Sequence, residues 1–300
     1  MIKKIINRLR LFYYRINYRF FIRNAKSPTV LSTEDTLNII LENKLSFARF
    51  GDGEFYLMLG LDYSPFQKLS KALQDDLLMV FSSENKQILV GIPETIKDCS
   101  MYLPKPRKFW EEFWGGYYKK IVSNLPSNYW KLKYGNTNST RFFSGLKDKG
   151  QAQIIVNLFK KIWNQRNIII IEGEKSRLGV GNDLFDNVSS LKRILVPAKN
   201  AYETSDEVVK YIEIQKFPTD TLFILAAGMA ATVMAYKLSN LGFQALDLGH
   251  IDIQYEYFLR NSSEKISVPG KYVNESKNGR NPNDAILDKK YASEIIKILI

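Results

Sequence analysis

Asn167-Ile-Ile-Ile-Ile171 is an unbroken apolar run. A strand apolar on both faces belongs in a parallel sheet covered by helices on each side. The pattern continues outward from it. Ala152 to Asn164 reads as the preceding helix. Leu191 to Val196 reads as another strand, stopped by Pro197. Tyr202 to Gln215 is then a helix, Thr221 to Ala226 a strand, Met229 to Asn240 a helix and Phe243 to Leu248 a strand. Strands alternating with helices predict an α/β fold built on a doubly wound, mostly parallel sheet. The apolar run from Leu222 to Ala235 is too short to span a membrane, and Gly228 divides it.

The first half is less regular. Ser32 or Thr33 caps a helix that carries Asp35 in its first turn and runs to about Asn43. Leu45 to Phe50 is a strand, Pro65 to Phe81 mostly helical, and Gln87 to Ile92 a strand ending at Pro93. Residues 105–143 hold eleven aromatics with Lys and Arg interleaved, punctuated by Gly115-Gly116 and Pro126. They read as an aromatic-rich helical insertion. Such rings can stack on sugars or bases, or form a second small core. Glu111 and Glu112, and the lack of a dense basic groove, argue against single-stranded nucleic acid.

Three hundred residues with 45% hydrophobic content suit one large domain, placed at 27–300. The single cysteine, Cys99, excludes an internal disulfide and a cysteine-rich metal site, and favours a reducing, cytoplasmic compartment. Nothing reads as a signal peptide, because arginines interrupt the leading segment. The net charge is +12, yet residues 1–26 hold eight basic side chains and no acid precedes Glu34. A nucleic-acid binder would spread its charge over the folded body. In this segment Ile2, Ile5, Ile6, Leu9, Phe12, Tyr13, Ile16 and Phe20 share an arc of about 120° on a helical wheel. Lys3, Lys4, Arg8, Arg10, Arg15 and Arg19 lie outside it. Such a basic amphipathic helix can lie on an anionic membrane, dock on an acidic partner, or pack on its own body. It cannot span a bilayer.

In an open α/β sheet, ligands bind beyond the carboxyl ends of the strands. The segments that follow each strand are therefore the candidates. Ser46-Phe-Ala-Arg49-Phe-Gly51-Asp52-Gly53-Glu54-Phe55 ends one strand in a tight acidic turn. Asp52 and Glu54 can aim at one point and suit a divalent cation, Mn²⁺ or Mg²⁺, that holds phosphates. Gly51 and Gly53 permit close approach of a ligand, and Arg49 could take a phosphate oxygen. The same turn could also be a plain strand-to-helix connection, with Glu54 favouring the helix dipole. After Ile171 comes Glu172-Gly-Glu174-Lys-Ser-Arg177-Leu-Gly179-Val-Gly181-Asn182-Asp183, a cradle for a pyrophosphate leading into a helix at Asp183–Val188. It is no dinucleotide fingerprint, since Leu184 stands where a third glycine belongs. Asn200 follows Pro197-Ala-Lys, and Ala227-Gly228-Met229-Ala230 opens a helix either as a backbone cradle or for close packing. The lone histidine, His250, follows the last strand, with Asp252 and Glu256 four residues apart on one helix face.

Arg49-Phe-Gly-Asp52-Gly-Glu54 resembles the Asp-x-Glu signature of the GT-D glycosyltransferases, a bacterial family first described as a domain of unknown function. Glu172-Gly173 with Gly179-Val-Gly181-Asn182-Asp183, Pro197-Ala-Lys-Asn200-Ala-Tyr202, Gly249-His250-Ile-Asp252 with Tyr255-Glu256, and Thr140-Arg141-Phe142 are similar to further stretches of it. The resemblance covers roughly residues 30–260 and leaves the basic helix outside. It implies a Rossmann-like fold, a nucleotide-sugar donor (commonly UDP-glucose), a divalent cation, and a surface polysaccharide or protein-linked glycan as acceptor. By it, Asp52, Glu54 and His250 would form the metal centre. Glu256, with Asp252 beside it, would be the catalytic carboxylate nearest the acceptor. Arg49, Gly51, Gly53, Arg177, Gly179, Gly181, Asn182, Asp183, Asn200 and Gly228 would bind the donor. Two other readings stand beside this one. One is a different nucleotide-binding α/β enzyme, such as a dehydrogenase; the other is a non-catalytic scaffold held on a membrane through residues 1–26.

Overall fold

The structure is a computed structural model that describes residues 2–62, 66–125, 129–262, 264–273, 276, 279 and 289–300. Pro65 and Pro126 lie outside the described residues.

The chain opens with α1 (Ile2–Asn17), which widens into a π-turn at Tyr18–Ile22. The short strand β1 (Thr29–Val30) leads to α2 (Thr33–Asn43), whose cap is Ser32 accepting from Asp35 N at 3.0 Å. Strand β2 (Ser46–Arg49) passes into α3 (Asp52–Met58), followed by α4 (Lys71–Phe81) and β3 (Ile88–Ile92). The long helix α5 (Pro104–Val122) precedes β4 (Lys133–Asn136) and α6 (Ala152–Trp163). Strands β5 (Asn167–Gly173) and β6 (Ser190–Val196) come next, then α7 (Ser205–Gln215), β7 (Leu222–Ala226) and α8 (Ala230–Asn240). The chain closes with β8 (Gln244–Asp247), α9 (Ile251–Leu259), α10 (Lys289–Glu294) and β9 (Ile295–Ile298).

Among the described residues, nine strands form one sheet in the order β1-β4-β3-β2-β8-β7-β5-β6-β9, and every pairing is parallel. Strand alternation divides the core in two. Ala48, Ile169, Ile171, Phe223, Leu225 and Ala245 face one layer, with α4, α5, α7 and α8. Phe47, Ile168, Ile170, Leu222, Ile224 and Leu246 face the other, with α2, α6 and α9. The successive strands β2, β3 and β4 march outward on one side of β2, whereas β8 closes on its other side. The β2/β8 junction is therefore where the two halves of the sheet meet, the place at which open sheets bind ligands.

Two expectations change here. Residues 105–143 are not a separate insertion. Their first part is α5, but β4 pairs with β3 and β1 inside the main sheet, and 137–141 form a 3₁₀ turn at its carboxyl end. Gly115-Gly116 do not punctuate the segment; they lie within α5. A Cβ on Gly115 would stand 1.8 Å from the Tyr14 carbonyl oxygen, so both glycines serve to seat α1. The Asp183–Val188 stretch is turn, not helix. Asn182 Oδ1 accepts from Leu184 N at 3.1 Å, and Trp163 Nε1 donates to Leu184 O at 3.1 Å. Side-chain bonds and the buried Leu184 and Phe185 hold this backbone in place of a helical ladder.

Candidate active site

The carboxyl ends of β2, β8, β7 and β4 converge at the junction. The first turn of α3 carries Asp52 and Glu54, both partly exposed. Glu54 Oε2 accepts from Gly51 N at 2.8 Å, so this carboxylate caps its own helix. Burial, and next the charge of Asp247, push Glu54 up to about 7. Gly53 lets the β7–α8 loop close on this turn, since a Cβ there would meet Met229 Cε at 2.3 Å. Gly228 itself has φ +58, which suits glycine, with open space where a Cβ would stand.

Arg49 is committed to the frame. Its Nε donates to Asp247 O and its Nη2 to Asp247 Oδ1, both at 2.7 Å, while Nη1 donates to Thr140 Oγ1 at 2.8 Å. The Thr232 hydroxyl lies 2.9 Å from Arg49 O and 3.2 Å from Asp247 Oδ2. Arg49 thus ties β2 to β8 and to the turn after β4. Gly249 is needed beside it, because a Cβ would sit 2.3 Å from Arg49 Nη2.

His250 caps α9 and meets Arg141, whose Nη2 lies 3.1 Å from Nε2 and 3.4 Å from Nδ1. An arginine against the ring disfavours a further cation there and favours an anion.

Asp252 and Glu256 share one face of α9, as their spacing predicts, but that face is spoken for. Lys271 Nζ donates to Asp252 Oδ2 at 2.7 Å and Oδ1 at 2.8 Å, and to Glu256 Oε1 at 3.1 Å. Gly179 N and Asn182 Nδ2 donate to Asp252 Oδ1, each at 2.9 Å. Asn182 Nδ2 also reaches Glu256 Oε1 at 2.7 Å, and Arg260 Nη2 reaches Oε2 at 3.1 Å. Asp252 and Glu256 are 2% and 4% exposed, too little for an acceptor hydroxyl to reach them in this arrangement. Burial alone would raise Glu256, yet the Asn182 amide and the Lys271 charge outweigh it and hold the carboxyl below its ordinary range. These bonds tie both carboxylates to the 177–183 loop and to Lys271.

The other expected donor-binding residues divide similarly. Gly179 spends its N–H on Asp252, and Gly181 lies in the same loop with φ +77 and open space beside it. Asp183 pairs with Lys160 at 2.7 Å and accepts from Tyr255 Oη at 2.6 Å. Arg177 donates to Gly270 O at 2.8 Å. Asn200 accepts from Lys68 N at 2.9 Å and donates its N–H to Phe66 O at 2.6 Å, fastening the segment before α4. Sequence reasoning did not single out Asp247, Thr232 or Lys271. An acid between Leu246 and Leu248, inside a strand otherwise buried, is a signal for the first; the others carry none.

Among the described residues no group of three or more His, Cys, Asp or Glu side chains forms a ready-made metal centre. Asp52 and Glu54 nevertheless fit a hard cation, which takes one or two carboxylates and fills its remaining positions with water and phosphate oxygens.

Comparison with known proteins places this geometry in a family. The family described as glycosyltransferase GT-D fold matches residues 47–276. Glycosyltransferase GlyD of Streptococcus pneumoniae serotype 4 (strain ATCC BAA-334 / TIGR4) is 32% identical over 268 residues, 89% of this chain and 32% of that protein. The probable glycosyl transferase Gly of Streptococcus gordonii is 31% identical over 252 residues, 82% of this chain and 35% of its own length. The chain thus spans about a third of the length of these curated relatives. A solved structure of the domain of unknown function 1792, described as having a distinct glycosyltransferase fold, superposes with a TM-score of 0.84 at 30% identity, covering 92% of this chain and 98% of that one. A second, described as a new glycosyltransferase from Streptococcus sanguinis, gives 0.83 at 30% identity, covering 91% of this chain and 100% of its own.

Proposed function

The chain belongs to the GT-D glycosyltransferase-fold family, and on that footing we propose that it transfers a sugar from a nucleotide diphosphate sugar, a UDP-sugar such as UDP-glucose, to a surface polysaccharide or protein-linked glycan. The observation that supports this most is the placement of opposite charges at the carboxyl ends of the adjacent strands β2 and β8: the acidic Asp52–Glu54 turn follows β2, and His250, in contact with Arg141, follows β8. Heterolysis of the anomeric C–O bond adds one negative charge to a diphosphate that already carries two, and donors fixed in advance around it lower the barrier. Arg141 and His250 orient the diphosphate. The Met229 side chain, from the loop before α8, packs on Gly53 of α3. Asp52 and Glu54 would hold a divalent cation, Mn²⁺ or Mg²⁺, which when bound neutralises the leaving diphosphate. Asp252, Glu256 and Lys271 hold the 177–183 loop in place at the rim. We place the protein in the cytoplasm, peripheral on the inner face of the membrane.

A screen of nucleotide sugars for thermal stabilisation, with and without Mn²⁺, tests the reading. UDP-sugars should raise the unfolding midpoint only when the cation is present. Stabilisation by NAD, with none by any nucleotide sugar, would overturn it in favour of a dehydrogenase.

A further inference from the structure

Helix α1 meets the body along one stripe. Leu11, Tyr14, Tyr18 and Ile22 recur three or four residues apart; the last two are buried and the first two partly so. Tyr14 lies over Gly115 and Gly116 of α5. Asn17 Nδ2 donates to Gly115 O at 2.6 Å, Tyr18 Oη to Thr95 O at 2.8 Å, and Arg19 Nη2 to Glu111 Oε2 at 2.8 Å. These bonds fix how the helix is rolled. On a helical wheel the docked stripe and the apolar arc centre about 180° apart, so the arc points away from the protein. Ile2 is 73% exposed, Leu9 64%, Tyr13 62% and Phe12 53%, and Phe20 and Phe21 extend the row. Among the described residues this contiguous apolar surface has no partner, which is the mark of an interaction site.

The flanks are basic. Lys3 and Arg10 border the row on one side, and Arg8 and Arg19 on the other. A groove of about 380 Å³ between α1 and α5 adds Arg107, Lys108 and Lys147 to Arg15 and Arg19, five cations against the carboxylates of Glu111 and Glu112. We infer that this face is a docking surface for an anionic lipid bilayer, the apolar row entering between headgroups and the basic flanks meeting their phosphates. Charge selects this occupant. A second copy would bring two basic helices together with no acid before Glu34 to offset them. A bilayer rich in anionic headgroups offsets both flanks at once. The helix lies on the surface rather than crossing it: among the described residues none is long and apolar enough to span. The inference deepens the proposed location but does not rest on the chemistry of the site.

Sedimentation with phosphatidylcholine vesicles, with or without phosphatidylglycerol, tests it on the full chain. The protein should pellet with the mixed vesicles, stay in solution with the neutral ones, and be released by salt. The double substitution Leu9→Asp, Phe12→Asp should weaken binding at least about tenfold, since two exposed anchors are lost. Lys3→Glu, Arg10→Glu should weaken it by about fivefold or more per residue. Both variants should keep the wild-type unfolding midpoint and donor turnover, which separates a failure of docking from a failure of the enzymatic reading. Wild-type binding by the Leu9→Asp, Phe12→Asp variant would overturn the inference. So would equal binding to neutral vesicles, or a wild-type dimer that this variant dissociates.

Discussion

Glu256 is held by three cationic or amide donors, and the consequences of removing its charge follow from that. Glu256→Gln leaves Lys271 with Asp252 alone and should cost about 1.5–3 kcal/mol at neutral pH, the range for a hydrogen bond to a charged group. Because the folded carboxyl titrates below its ordinary range, the wild-type advantage is complete above the unfolded pKa and fades as pH falls through the folded one. Urea unfolding of both proteins should therefore show the gap narrowing below about pH 4. Turnover of the variant should fall by less than about tenfold, where loss of a general base costs about 10²- to 10⁴-fold. A drop of the larger size with an unchanged unfolding midpoint would restore Glu256 as the base. The sequence places Asp252 and Glu256 on one helix face correctly, because that follows from local periodicity. It is silent on Lys271, whose approach depends on a loop closing back from beyond the helix. Arg49 teaches the same lesson: its position before the turn is legible, but its engagement with Asp247, 198 residues away, is not.

At the scale of elements, what reads well from sequence is what neighbours dictate: the isoleucine run of β5, the Ser32 cap of α2, the proline-terminated strands. What reads poorly is set by distant partners. Strand β4 is a four-residue segment, Lys133–Asn136, with glycine inside it, and it becomes a strand only because β3 and β1 lie on either side. Gly115 and Gly116 look like chain breakers and are instead a seat for Tyr14. Gly115→Ala should therefore act on α1 rather than on α5. Helix propensity alone would favour alanine, but its Cβ would press into the Tyr14 carbonyl and force the helices apart. The expected cost is about 1–3 kcal/mol, as for overpacking elsewhere. Hydrogen exchange should show faster opening confined to residues 2–22 and the facing turns of α5. Unchanged protection there would show that the two helices are not closely seated.

For the whole molecule, sheet order decides where chemistry can happen. The nine parallel strands of the described residues place every carboxyl end on one edge, and the β2/β8 junction brings together segments some 200 residues apart in sequence. The Asp52–Glu54 turn and His250 were legible as members of this edge because both follow strands; Arg141 became part of it only once β4 joined the sheet. α5 links the edge to the outer helix, with Trp114 on Phe55 at 5.7 Å and Tyr117 on Tyr56 at 4.9 Å between ring centres, while its glycines receive α1. The central claim is that the acidic turn recruits a cation and, with it, a nucleoside diphosphate. Calorimetric titration of UDP into the full chain, with Mn²⁺ and with excess chelator, tests it directly for the wild type and for Asp52→Asn, Glu54→Gln. The account predicts binding by the wild type with Mn²⁺, and its loss both in chelator and in the variant at an unchanged unfolding midpoint. Equal UDP affinity in all of these conditions would contradict it.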